Sequence, residues 1–172
     1  MSEKYGHRIR VRMGINSGIV TAGNMGSEKK FQYTVMGDVV NTAARLEPVN
    51  KDFGTKIIVG EATYSMVRDF FVFRPLIKIL VKGKSIPVLI YELICRREES
   101  SAETDRLVAG YTEAMGLFCT RSWDEAEAGI KRILALKPQD GPSIYPSKLI
   151  AKFRHNPPPD GWQGEYMRSE KN

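Results

Sequence analysis

The chain has 172 residues, 42% of them hydrophobic and 27% charged, enough apolar material for a buried core and a composition unlike that of a disordered chain. No apolar run approaches the ~20 residues of a membrane span, and no apolar stretch follows the charged N-terminus, so neither membrane contact nor a signal peptide is expected and the chain reads as cytoplasmic. The net charge of +6 comes from 26 basic and 20 acidic residues scattered in ones and twos, which argues against nucleic acid as a partner, and the two cysteines, Cys95 and Cys119, carry no metal-ligand or disulfide spacing.

Residues 8–15 alternate strictly, placing Ile9, Val11, Met13 and Ile15 on one face of a half-buried strand. Gly14, Gly18, Gly23 and Gly26 then punctuate a stretch poor in large side chains, where bulges or the close approach of another backbone are expected. Residues 31–35 form a second short strand leading into Met36, Gly37 and Asp38. From Val39 to about Asn50 the apolar residues Val39, Val40, Ala43, Leu46 and Val49 fall on a helical period, with Asp38 placed to cap the helix N-terminus. Residues 56–59 read as a buried strand and 61–67 as a brief helix. Strands follow at 70–73, 77–81 and 88–93, the last two joined by a turn at 82–85. This mixture predicts an α+β fold.

The charged stretch 96–106 has no apolar periodicity and reads as a linker between a unit at 1–95 and a second at 107–172. In the second unit, residues 110–119 and 123–136 predict a helical hairpin, closed by Lys137 and Pro138. Ala114, Ala126, Ile130 and Pro138 stand at spacings similar to one tetratricopeptide repeat, although a single repeat cannot bury its own face. A proline-rich tail, with Trp162 as its anchor, completes the chain.

The segment richest in chemistry is 33–47, YTVMGDVVNTAARLE. Asn41 and Arg45 are four apart, so both side chains leave the same face of the helix, and Asp38 precedes them by three. A guanidinium beside a carboxamide, near a helix N-terminus whose amides carry partial positive charge, suits a phosphate ester. The same spacing also fits an amphipathic helix with a solvated polar face.

GINSGIVTAGNMG at 14–26, the 33–47 segment and VKGK at 81–84 together resemble the C-terminal half of a class III nucleotidyl cyclase catalytic domain, a ferredoxin-like α+β fold. Members make cyclic AMP or cyclic GMP from the triphosphate and release pyrophosphate. The resemblance covers about residues 8–93. It implies that Asn41 orients the ribose, that Arg45 stabilises charge on the α-phosphate and that Lys82 holds the β- and γ-phosphates. It places Thr34 at the base-reading position, where a hydroxyl accepts or donates and so reads adenine less strictly than a carboxylate. Threonine there is shared with a large set of bacterial cyclases that use ATP.

The resemblance also implies two Mg or Mn ions, held by two aspartates of the family's N-terminal half, one of them in an F-x-D-I-x-x-F-T string that this chain lacks. No metal ligand is therefore expected in this chain, since Asp38 and Asp52 are too isolated to form a substitute pair. The reading is a truncated cyclase, inactive alone. Its implied partners are ATP and either a head-to-tail homodimer mate or the missing N-terminal half. Full-length relatives are often membrane-anchored with the cyclase on the cytoplasmic side. An adenylate cyclase is the preferred reading, with a guanylate cyclase or a non-catalytic interaction module as alternatives.

Overall fold

The computed structural model describes residues 11–27, 30–79, 87–162 and 164–166. The architecture is mixed α+β. Among the described residues a sheet of five strands has the order β1 (Met13–Ile15), β4 (Ile57–Gly60), β6 (Val88–Arg96), β5 (Phe71–Ile79) and β7 (Glu165–Tyr166). The β1–β4 and β5–β7 pairs are parallel and the β4–β6 and β6–β5 pairs antiparallel. A separate hairpin joins β2 (Thr21–Ser27) to β3 (Lys30–Met36), with Gly23 opposite Thr34.

Helix α1 (Asp38–Phe53) follows β3 directly, and its Thr42, Leu46, Val49, Asn50 and Phe53 form the buried stripe expected of an amphipathic helix. Its N-cap is Gly37, not Asp38 as the sequence suggested. The amides of Val40 and Asn41 both bond the Gly37 carbonyl, so Asp38 lies one residue inside the helix. There its carboxylate faces the positive end of the helix dipole without capping an amide. The C-terminus closes on Gly54 in the left-handed conformation, whose N–H bonds Asn50 O.

The alternation around β1 identifies the strand but not its covered face. Gly14 is pressed onto α1, where an added Cβ would overlap the backbone of Ala43, whereas Met13 is 47% exposed and Val11 and Ile15 are also exposed. The reason is position: β1 is an edge strand with α1 on its glycine face, and α2 (Glu61–Val67) covers only the strands beside it on the other. On that second face Tyr64 of α2 stacks on Tyr91 at 3.8 Å between ring centroids, against Val59 and Phe73. The two strands expected at 70–73 and 77–81 are one, β5, which runs through Pro75 with register shifts at Val72/Phe73 and Pro75/Lys78.

The stretch 96–106 contains the last residue of β6, a 3-10 turn (Arg97–Glu99) and the first residues of α3 (Ala102–Cys119), capped where Ser101 accepts from Thr104 N–H. The α3–α4 pair, with α4 at Trp123–Leu136, is extended by a third helix, α5 (Gly141–Phe153). These helices share one core with α1 and the sheet, including Phe53, Leu76, Tyr111, Phe118, Ile130 and Ile150. Trp162 is buried among Phe118, Trp123 and Phe153.

One charged cluster lies inside this core. Arg74 of β5 is 2% exposed and donates to Glu92 of β6 and, through Nη1, to both carboxylate oxygens of Asp140. Its guanidinium lies 4.9 Å from the centre of the Tyr111 ring. Burial alone would weaken the charge on Arg74, but the two carboxylates outweigh it and raise its pKa. Burial raises the pKa of Glu92, against the pull of Arg74.

Candidate functional site

The structure brings Thr34, Asp38, Asn41 and Arg45 onto one continuous stretch, the end of β3 and the first two turns of α1. Asn41 is exposed and Arg45 half-buried, one turn apart on α1, with Arg45 at the border of the core stripe next to Thr42 and Val49. Asp38 is exposed in the first turn, and its carbonyl accepts from Thr42 Oγ1 at 2.7 Å. Thr34 is half-buried on β3 between exposed Tyr33 and Val35. Lys82 lies outside the described residues.

A cleft of about 250 Å³ opens beside the start of α1, lined by Asn16, Ser17, Val39, Thr42 and Glu61 among others. Ser17 and Thr63 share a hydrogen bond of 2.9 Å there, and Asn16 Nδ2 donates to Val39 O. Val39 and Thr42 are the α1 residues named in its lining, and Asn41 and Arg45 are not among them.

Sequence reasoning missed the apolar surface around Thr34. Ile19 is 96% exposed, and Val20, Tyr33, Val35 and Met36 of the same hairpin region are exposed with it. Large apolar side chains concentrated in this way mark an interaction surface. A signal existed in the glycine-rich run before Phe31, which supplies few partners to bury them.

Among the described residues no group of three or more His, Cys, Asp or Glu side chains is placed to hold a metal ion. Among the same residues, no helix is long and apolar enough to cross a membrane.

The chain is similar to three known proteins. The chain is 42% identical over 85 residues to adenylate cyclase 1 of Rhizobium meliloti, covering 49% of this chain and 13% of that protein. It is 30% identical over 151 residues to the terminal-differentiation-specific adenylate cyclase of Dictyostelium discoideum, covering 85% of this chain and 7% of that protein. The chain thus spans only a small part of the length of either relative. The crystal structure of the adenylyl cyclase CyaB from P. aeruginosa is 37% identical, with 52% of this chain and 45% of that chain covered and a TM-score of 0.45. A family model of the adenylate and guanylate cyclase catalytic domain matches residues 1–94, more than half of the chain. The chain belongs to the adenylate and guanylate cyclase catalytic domain family.

Proposed function

We propose that this chain supplies the ribose- and phosphate-engaging side of an adenylate cyclase site, which closes ATP to cyclic AMP and pyrophosphate. The observation that carries the reading is the placement of Asn41 and Arg45 one turn apart on α1, immediately after the strand bearing Thr34. In-line attack of the ribose 3′-hydroxyl on the α-phosphorus puts added negative charge on phosphate oxygens. A guanidinium held on a packed helix meets that charge without reorganising, which lowers the barrier. Asn41 holds the ribose so that the hydroxyl lies in line, Lys82 holds the β- and γ-phosphates, and Thr34 reads the base. The names of the relatives favour ATP over GTP.

The family normally uses Mg or Mn. The described residues do not fit such ions, so their carboxylates belong to a second segment, either a separate half-domain or the mate in a head-to-tail pair. The exposed Ile19, Tyr33 and Met36 support a site completed by such a segment. The tetratricopeptide-like spacing of α3 and α4 fits an extension appended to the catalytic unit.

The test mixes the purified chain with a separately expressed metal-carrying half of a class III cyclase domain and follows product from ATP and GTP. Cyclic AMP from the mixture, and from neither part alone, is expected. Cyclic AMP from the homogeneous 172-residue chain would overturn the assignment of the metal ligands to another segment. Cyclic GMP in place of cyclic AMP would make the site a guanylate cyclase. An associated mixture that makes neither product would leave an interaction module.

A further inference from the structure

Helix α1 carries its polar pair at the solvent end and is anchored at the other. Phe53, its last residue, is fully buried, with its ring 4.5 Å from that of Tyr145 of α5. The two backbones also meet. A Cβ added at Gly141 would overlap the carbonyl of Phe53 and stand 3.1 Å from Gly54 Cα. No side chain fits between the end of α1 and the start of α5.

The start of α5 is itself fixed. Asp140 caps it, accepting from Ser143 N–H at 3.2 Å and Ser143 Oγ–H at 2.6 Å, while the same carboxylate is gripped by Arg74 of β5. On the other flank, Asn50 Nδ2 donates to Met13 O of β1 at 2.9 Å and to Glu47 O at 3.1 Å, and Gly14 lies against the helix backbone. Pro48, inside the helix, leaves the Ala44 carbonyl without its usual i→i−4 donor. Helix α1 is therefore wedged between β1 and α5.

We infer that the α3–α5 layer is the backstop that sets the position of α1, with Asp140 and Gly141 as positioning residues for Asn41 and Arg45. The inference rests on the reading of Asn41 and Arg45 as the pair that engages ribose and phosphate. A hydrogen-bonded helix carries displacement along its axis, and the run from Phe53 to Asn41 is ~18 Å. A misplacement of ~1 Å at reacting groups costs ~10²-fold in rate. A contact this far from the substrate can therefore govern turnover while leaving ground-state binding alone.

The test uses Gly141→Ala and Asp140→Asn, with Tyr145→Leu as the milder variant should these fail to fold, and Lys131→Ala on α4 as the control. In the 172-residue chain, amide NMR shifts of residues 40–45 are followed. With the metal-carrying half added, kcat and KM for ATP are measured. The expected result is a concerted shift at residues 40–45, a kcat lowered ~10²-fold and a KM changed by no more than about twofold, with the control unchanged. Shifts confined to α5 and residues 50–54 in the folded variants, or an unaltered kcat, would overturn the inference. Arg45→Ala is run alongside. Undiminished kcat in that variant would remove the functional reading, while the NMR arm would still decide whether α5 positions α1.

Discussion

Nη1 of Arg74 lies 3.0 and 2.9 Å from the two carboxylate oxygens of Asp140, a residue 66 positions later in the chain. The pair joins the middle of the sheet to the first turn of α5, with both side chains 2% exposed. Such a pair gains little over a well-packed apolar substitute, but removing one partner leaves an uncompensated buried charge.

Arg74→Met is expected to lower unfolding free energy by about 3–5 kcal/mol, because it strands the Asp140 and Glu92 carboxylates together. Glu92→Gln should cost much less, since burial already opposes the Glu92 charge and Asp140 remains to pair Arg74. Denaturant unfolding of the two variants checks the order. Equal losses would contradict the expectation that Asp140 keeps Arg74 paired once Glu92 is neutral.

Arg45→Ala, in the enzyme completed with its metal-carrying half, should lower kcat by ~10²-fold or more with little change in KM. The guanidinium is placed for charge that develops only in the transition state. Steady-state kinetics with ATP decide the matter. A raised KM at unchanged kcat would assign Arg45 to ground-state binding alone.

Thr34 should set base choice weakly. A site built to hydrogen-bond one substrate group rejects an analogue lacking it by ~10⁴-fold, whereas looser sites reach ~10²-fold. Thr34→Asp fixes the acceptor role and should sharpen the preference for ATP, while Thr34→Ala should lower kcat/KM for ATP only modestly. The readout is the ratio of kcat/KM for ATP and GTP. If neither substitution moves the ratio, the base is read elsewhere.

Alkaline titration should unfold the chain before its buried phenols ionise. Burial, helped by Tyr64 and Glu61, pushes the Tyr91 phenol up to about 12, and burial first of all also raises Tyr111 and Tyr145. A phenol whose folded pKa lies above its unfolded value of about 10 keeps its proton longer in the folded state. Its contribution to stability is full below pH 10 and, for Tyr91, is lost between pH 10 and about 12. Tyrosinate absorbance and circular dichroism followed together are expected to show a late, cooperative step. Ionisation of Tyr91 near pH 10 with the fold intact would contradict its burial.

The helix bearing Asn41 and Arg45 was legible because its apolar residues repeat at the helical period, and α2 because it begins directly after a short buried strand. The covered face of β1 was not, because alternation gives two faces and only tertiary context shows that α1 packs on Gly14. Helix α5 was hidden by Pro142 and Pro146. Pro142 sits in the first turn, where a missing N–H costs nothing, and Pro146 is tolerated because packing outweighs one lost bond. Arg74 falls between the two strands expected at 70–73 and 77–81, and no sequence pattern marks it as buried. Its burial depends on Asp140, which no local pattern connects to it.

Both tryptophans of the chain, Trp123 and Trp162, stand 6.0 Å apart in one aromatic knot with Phe118 and Phe153. Tryptophan fluorescence, excited selectively, is therefore a private channel to the α3–α5 layer and is blind to local events at Asn41. Far-ultraviolet dichroism weighs every helix and strand instead. Unfolding curves from the two signals will superimpose only if layer and sheet separate in a single cooperative step. Any gap between them would measure, without a label, how far the layer can lift away before the sheet gives.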